Sequence, residues 1–453
     1  MKKQLFLAAF VAAFMPAGAQ YFNEEVSNLY RAAAANNDTL QLYQIRKQAT
    51  DIDIQTARFS YLPRVQLGAS YTHLNDAIVF PDNLQQLLQG TQQLLIKEKL
   101  GLPFNAELPA GVSLQPVPPI QKQDIVKANV NGQWLLFGGM KVRNGIQAYQ
   151  HQQRSVDYMT QKQDRALWLD VSEAYDRLAL LHESDAIIRS SENVLDEQTK
   201  FVKAAIQNGL ATPLDRKKIE LAQQRLAVKK LENSSNKTVL ISRLHQLTSV
   251  SEEDLLRLKP EIVPAYFDVN TVPAERPEIK ALDEGMEARK YKGRAELAEY
   301  VPKLAAFGQY ELRNKDLSLF DPRWAVGLKL QWNLFDGLSA RNNARKETLE
   351  KRALEVQKKS AQERIKLGYA KSRADYELAT GKVLLKNQEA NLSQSTYDFV
   401  QKQYVNGLTN ITELLNALND VEKARFENKQ AIYEQRRAAL LAADLSGTLL
   451  KNQ

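Results

Sequence analysis

Hydrophobic positions follow two periods along the chain. In Val65–Tyr71 the apolar set Val65, Leu67, Ala69 and Tyr71 alternates with Gln66, Gly68 and Ser70. Downstream, Val126, Ala128, Val130, Trp134 and Leu136 alternate with Lys127, Asn129, Asn131 and Gln133. The same period recurs in Trp324, Val326, Leu328, Leu330, Trp332 and Leu334 against Gly327, Lys329, Gln331 and Asn333. With Tyr300–Tyr310, which repeats the wording of Tyr61–Tyr71, this predicts four strands, each with one apolar and one polar face. Each is about ten residues, the length at which a tilted strand crosses a bilayer. Elsewhere the period is helical. From Ile146 to Asn208 there are 63 residues without Gly or Pro, enough for a helix of roughly 95 Å. Leu338–Asn406 has no Pro and only Gly368 and Gly381. Apolar residues recur at three- and four-residue steps, as in Leu167, Val171, Ala174, Leu178 and Leu181, so these helices need partners along one stripe. Each ends at an Asn-Gly pair (Asn208-Gly209, Asn406-Gly407), and a returning helix follows, Pro213–Leu247 and Ile411–Ser446.

The chain repeats itself. QWLLFGGMKVRN at Gln133–Asn144 recurs as QWNLFDGLSARN at Gln331–Asn342, and FVKAAIQNGL at Phe201–Leu210 as FVQKQYVNGL at Phe399–Leu408, both at an offset of 198 residues. YLPRVQLGASY at Tyr61–Tyr71 matches YVPKLAAFGQY at Tyr300–Tyr310 at an offset of 239, which leaves 239 − 198 = 41 extra residues in the first copy. That insertion, about Asn75–Gln123, carries six prolines and reads as a long loop. The expected organisation is a leader at 1–19, a first repeat at 20–249, a Pro-rich linker at 250–277 and a second repeat at 278–453. Each repeat is a helix, strand, loop, strand, long helix, tight turn and returning helix. Gly139 and Gly337 stand where strand gives way to helix, and their conformational freedom would let the chain turn there.

Composition narrows the setting. Met1–Ala19 has Lys2 and Lys3, an apolar run and Ala17-Gly18-Ala19, the signature of a secretory leader cleaved before Gln20. Later segments lack an apolar run of about 18 residues, so no transmembrane helix is expected. Cysteine is absent, so packing or oligomerisation must hold the exported chain together and thiol chemistry is excluded. The net charge of +8, or +6 without the leader, reads mainly as solvated helix faces, and export argues against nucleic acid as partner. A soluble sandwich would produce the same strand alternation. Two features favour a membrane barrel: polar strand faces rich in Lys, Asn and Gln, and interfacial aromatics (Tyr71, Trp134, Tyr310, Trp324, Trp332) on the apolar faces. Four strands cannot close a barrel, whose smallest membrane forms have about eight. Oligomerisation is therefore required. His73, His151, His182 and His245 show no ligand spacing, and no phosphate loop, nucleophile elbow or paired-acid motif occurs, so neither metal, cofactor nor catalysis is expected.

Together these phrases resemble the TolC-like outer-membrane efflux family. The resemblance rests on Leu62-Pro63 and Val301-Pro302 opening the first strand of each copy, the W-x-LF-x-G junctions, the NGL turns and RPEI at Arg276–Ile279. Asn36–Leu40, the equivalent in the first copy, lacks the proline common at that point. The resemblance implies an α+β membrane protein. Its homotrimer would close a 12-stranded barrel from four strands per chain, continued by a long α-helical barrel in the periplasm. It also implies a passive exit duct in the outer-membrane lipid, serving tripartite efflux or type I secretion. Its partners would be a periplasmic membrane-fusion adaptor and an inner-membrane efflux pump or ABC transporter. The contrasting reading is a soluble periplasmic coiled-coil adaptor or scaffold, which would need no membrane strands. By the same resemblance the turns after the long helices form a periplasmic constriction. Glu413 matches the first acid of a cation-sensitive ring, and the second acid falls on the neutral Asn416. Tyr404 matches a tyrosine that links to the first copy's acid, here Asp215, and would hold the tip closed; the arginine expected nearby is Thr409. Thr212 with Asp215, and Asn410 with Glu413, also fit N-cap pairs, so both acids can serve simply as helix caps.

Overall fold

The computed structural model describes residues 24–313, 318 and 321–449; the leader expected at 1–19 lies outside them. Along the chain come α1 (Glu24–Asn36), α2 (Asp38–Phe59), β1 (Arg64–His73), α3 (Asp82–Lys99), β2 (Asp124–Phe137), α4 (Lys141–Gln207), α5 (Pro213–Thr248) and α6 (Glu252–Arg257). Then follow α7 (Pro277–Leu297), a 3-10 turn (Ala298–Tyr300), β3 (Lys303–Glu311), β4 (Trp324–Gln331), α8 (Ser339–Val405) and α9 (Ile411–Ser446). The duplication is visible in the lengths: α4 and α8 have 67 residues each, and α5 and α9 have 36 each. Among the described residues no helix is long and apolar enough to cross a membrane.

Two compact units divide the chain. The first holds residues 24–50, His151–Glu287 and 351–449; the second holds Asp51–Gln150 and Ala288–Glu350. The second is built on one antiparallel sheet in the order β1-β2-β3-β4, and among the described residues β1 and β4 are its free edges. Register gathers the alternating residues of all four strands onto one face: Leu67 lies opposite Val130, Val130 opposite Tyr310, and Tyr310 opposite Trp324. Val65, Leu67, Tyr71, Val326, Leu328 and Leu330 on that face are all exposed in the single chain, Leu67 by 75% and Val326 by 73%. The opposite face is polar. There Asn131 Nδ2 donates to Asn129 Oδ1 (3.0 Å), and Gln309 Nε2 to Glu311 Oε1 (2.7 Å).

Several elements depart from the sequence reading. The fourth strand stops at Gln331, leaving Trp332 and Leu334 beyond it. The first long helix begins at Lys141 and takes in Gly145, because a single glycine costs only about 1 kcal/mol in a helix this long. The insertion is not a bare loop but contains α3, which Pro81 precedes and whose leucines recur at helical steps with no proline until Pro103.

In the first unit, helices of both copies share one core. Leu167, Trp168, Val171, Ala174, Tyr175 and Leu178 of α4 pack with Ile241 and Leu244 of α5 and with Ala438, Ala439, Ala442 and Ala443 of α9. The alanines of α9 allow close helix approach, and Tyr30 of α1 stacks on Trp168 at a centroid distance of 4.1 Å. Toward the helical turns Ile188, Leu195 and Val202 of α4 recur every seven residues and meet Ile411, Leu414, Leu418 and Val421 of α9. Buried charges tie the copies. Arg165 Nε of α4 donates to Asp444 Oδ1 of α9 (3.0 Å). Arg276 of the RPEI phrase reaches Asp444 Oδ2 (3.0 Å) and its backbone oxygen (2.6 Å), and Glu278 through Nε (2.6 Å). One helical region on, Arg436 Nε donates to both oxygens of Asp176 at 2.7 Å.

Burial pushes the Asp176 carboxyl from its ordinary 3.8 up to about 6, with Arg436 pulling it back only in part. A carboxyl raised in the folded state favours folding most below its unfolded pKa, and that advantage is lost as the pH rises through the folded value. Asn at this position cannot ionise. The melting-temperature difference, wild type minus Asp176→Asn, should therefore fall between about pH 4 and pH 6 and stay level above about pH 7. A level difference across the whole range would remove this reading of the pair.

Candidate functional site

Two places carry the residues singled out by the sequence. In the second unit the repeated phrases form matching junctions. Trp134 Nε1 donates to the backbone oxygen of Tyr61 at 2.7 Å, and Trp332 Nε1 to that of Tyr300 at 2.9 Å. The QWxLF and YxP phrases of each copy are thus the two ends of one hydrogen bond, which holds the entry of the first strand beside the exit of the second. Both indoles remain half-exposed beside the apolar sheet face, so the tie is compatible with an interfacial position. Tyr71, Tyr310 and Trp324 also lie exposed on that face.

After the tie comes a left-handed pair, Gly139 (φ 65°) and Met140 (φ 70°) in one copy, Gly337 (φ 67°) and Leu338 (φ 63°) in the other. Two successive left-handed residues turn strand into helix. At Gly139 a Cβ would also lie 3.0 Å from the Ala298 oxygen, so glycine is required there twice over. The second copy adds an anchor: the Asp336 carboxylate accepts from Tyr300 Oη and from the Ala340 N–H, both at 2.7 Å. Gly138 takes that position in the first copy. A cavity of about 600 Å³ beside the first junction is lined by Arg64, Gln133, Lys141 and Lys303 among others; Glu299 pairs with Lys141 (3.2 Å) and Lys303 (2.6 Å). Tyr61 and Tyr300 were not singled out as functional from sequence, although their repetition before Leu-Pro and Val-Pro was the available signal.

In the first unit the turns between α4 and α5 and between α8 and α9 place Gly209 and Gly407 at φ 76° and 72°. The two acids beyond them behave differently. Asp215 is consumed as a cap: its Oδ2 accepts from the Thr212 N–H and from Thr212 Oγ1, both at 2.9 Å. At the second turn Asn410 Oδ1 takes the N–H groups of Thr412 (2.9 Å) and Glu413 (3.2 Å). The cap expected of Glu413 therefore does not form; Asn410 meets those donors alone, and the exposed Glu413 carboxylate has no partner among the described residues. Asn416 is exposed on the next turn, in a groove of about 290 Å³ shared with α4 and α5.

Tyr404 is half-buried against Phe201, ring centroids 5.7 Å apart. Its phenol is raised above the ordinary value of 10.0 by burial first and by the Asp215 charge second. No hydrogen bond joins Tyr404 to Asp215 among the described residues, the carboxylate being taken by Thr212. A bond that sequence did not suggest crosses the turns instead, Lys218 Nζ to Thr412 Oγ1 at 2.8 Å. Among the described residues no cluster of three His, Asp or Glu side chains could hold a metal ion.

A family model for the outer membrane efflux protein matches residues 269–447, most of the second copy. Over those residues the chain is similar to an outer membrane efflux protein domain. Similar solved structures include the outer membrane protein VceC of Vibrio cholerae. It is 13% identical, covering 93% of this chain and 96% of that one, with a TM-score of 0.71. The CmeC outer membrane channel of Campylobacter jejuni is 15% identical, covering 95% and 87%, with a TM-score of 0.70. The open state of the MtrE outer membrane channel of Neisseria gonorrhoeae is 15% identical, covering 94% and 89%, with a TM-score of 0.66. At this identity the likeness is one of fold, and it spans nearly the whole chain. No curated protein matches the sequence. The domain and the fold agree with a position in the outer membrane and a helical part in the periplasm.

The unequal acids give a measurable contrast. Asp215→Ala removes a cap acceptor and should cost about 1 kcal/mol in unfolding free energy, whereas Glu413→Ala should stay within about 0.5 kcal/mol of wild type. Denaturant titration of the two variants checks it, and equal losses would contradict the assigned caps.

Proposed function

We propose that three copies of this chain close a 12-stranded barrel in the outer membrane and a helical tunnel in the periplasm, a passive exit duct for cargo driven by an inner-membrane transporter. The observation that carries the reading is a matched pair of unsatisfied surfaces. On α8, Val356, Leu367, Leu378, Leu385, Leu392 and Phe399 are all exposed, at steps of 11, 11, 7, 7 and 7 residues. On α5, Leu214, Leu221, Val228 and Val239 are exposed at steps of 7, 7 and 11. Steps of seven and eleven keep side chains on one line of a helix, the pattern of a coiled-coil seam. Val239 lies 30 residues past Gly209 and Leu378 lies 29 before Gly407, so the stripes correspond in height above the turns. In this reading α8 of one copy covers α5 of the next, and the free edge of β4 pairs with β1 of the next.

Lipid then covers the exposed apolar sheet face, and the Asn, Gln and Lys face lines water. Barrel closure satisfies every edge N–H and C=O in hydrocarbon, which an open sheet cannot do. The chain performs no chemistry: it replaces a lipid barrier with a wet wall. A periplasmic membrane-fusion adaptor would grip the helical end, and an inner-membrane efflux pump or ABC transporter would supply the energy. The repeat boundaries at 20–249 and 278–453, joined by 250–277, fit this design, each copy supplying two strands and two tunnel helices.

At the tip, Glu413 is the acid with a free carboxylate, so it is assigned the cation-sensitive position, three per trimer, with Asn416 neutral beside it. Tyr404 and Asp215 act there through packing and charge.

Outer-membrane fractions should contain an SDS-resistant, heat-modifiable trimer, and Leu392→Glu, which places a charge in the seam, should abolish it; recovery as soluble periplasmic monomer would overturn the duct. In planar bilayers Glu413→Gln should lose block by divalent cations. Tyr404→Ala should raise conductance while Tyr404→Phe, which keeps the ring against Phe201, should leave it near wild type.

A further inference from the structure

The inserted segment between β1 and β2 holds a helix whose leucine stripe has no cover among the described residues. In α3, Leu84, Leu87, Leu88, Leu94 and Leu95 are all exposed, Leu87 by 65% and Leu95 by 59%, and no residue of the helix is buried. Leu84, Leu87, Thr91 and Leu94 follow the three-four spacing of a coiled-coil seam. An 18-residue helix of ordinary composition is barely stable alone in water. Gln85, Gln89, Gln92 and Ile96 are half-buried within the chain, but the leucine stripe is left without cover, and its burial would add stability that one chain does not supply.

What covers the stripe follows from charge and position. From Asn83 to Ile96 the helix carries no charge, and its other face is Gln86, Gln89 and Gln93. A helix lying on an anionic lipid surface shows lysines and arginines along its polar face, and this one does not. Contact between copies of a neutral leucine and glutamine helix buries no charge and opposes no like charges, so this helix suits self-contact. Position agrees. The insertion leaves the far end of β1, the free edge strand, and returns into β2, at the end of the sheet away from α2 and α4. It therefore borders the edge at which the next copy joins.

We propose that α3 docks through Leu84, Leu87, Leu88, Leu94 and Leu95 on α3 of a neighbouring copy, forming a helical cluster at the outer end of the barrel. This rests on the oligomeric duct described above, and the test separates the two. The chain has no cysteine, so one introduced thiol per copy reports only contacts between copies. In outer membranes under mild oxidation, Leu87→Cys should give a disulfide-linked dimer and Gln93→Cys, on the opposite face, should not. The double variant Val239→Cys with Leu378→Cys reports the α5–α8 seam in parallel. A crosslinked seam with unlinked Leu87→Cys overturns the α3 contact and leaves the duct standing; failure of both removes the duct itself. Equal crosslinking at Leu87→Cys and Gln93→Cys would also overturn the proposal, as would quenching of a fluorophore on Leu87→Cys by brominated lipid.

Discussion

An apolar surface that its own chain cannot cover governs this protein. Among the described residues the sheet gathers Val65, Leu67, Val326, Leu328 and Leu330 on one face and leaves that face exposed, while β1 and β4 each keep an unpaired edge. Burying apolar area at roughly 25 cal/mol per Å² makes such a face unfavourable in water and favourable in lipid. Lipid, however, cannot satisfy the edge N–H and C=O groups. One constraint calls for a membrane and the other for neighbours. The exposed stripes of α5 and α8 make the same demand in the helical unit.

Within the helical unit, duplication is consolidated by polar chemistry as well as by packing. The first copy's α4 and the second copy's α9 meet over an alanine-rich contact, and two buried ion pairs lie among these apolar residues. Arg276 sits where the linker enters the second copy and closes on Asp444 near the end of the last helix, so the RPEI phrase joins the start of that copy to its finish. Losing one partner would leave the other charged and dry, which is more costly than never having buried the pair. That is a physical reason for the phrase to stand where it does.

The candidate site was partly legible. Gly139 and Gly337 were readable because a repeated glycine between two periods marks a turn, and both take left-handed backbone. The tryptophans were readable only as apolar-face aromatics. Their indole bonds to Tyr61 and Tyr300 span 73 and 32 residues, and no local pattern announces a bond across such unequal distances. At the turns, Asp215 and Glu413 follow their N-cap residues at the same spacing, yet only Asp215 serves the cap. Spacing offers both acids the role. Asn410, whose own side chain reaches two N–H groups, leaves Glu413 without it.

The sequence by itself determined the period-two strands, the existence of two long helices and their shared offset, because these follow from local pattern and repetition along the chain; the start of the first helix at Lys141 it did not show. It also marked the helix ends, since Asn-Gly and the N-cap residues act within a few positions of themselves. Tertiary structure alone decided which apolar stripes are satisfied inside the chain and which are left over. Leu195 and Leu392 stand in repeats of the same period, but one is buried against α9 and the other faces out. Periodicity states that a stripe needs a partner. Only the packed arrangement of helices shows whether this chain provides one.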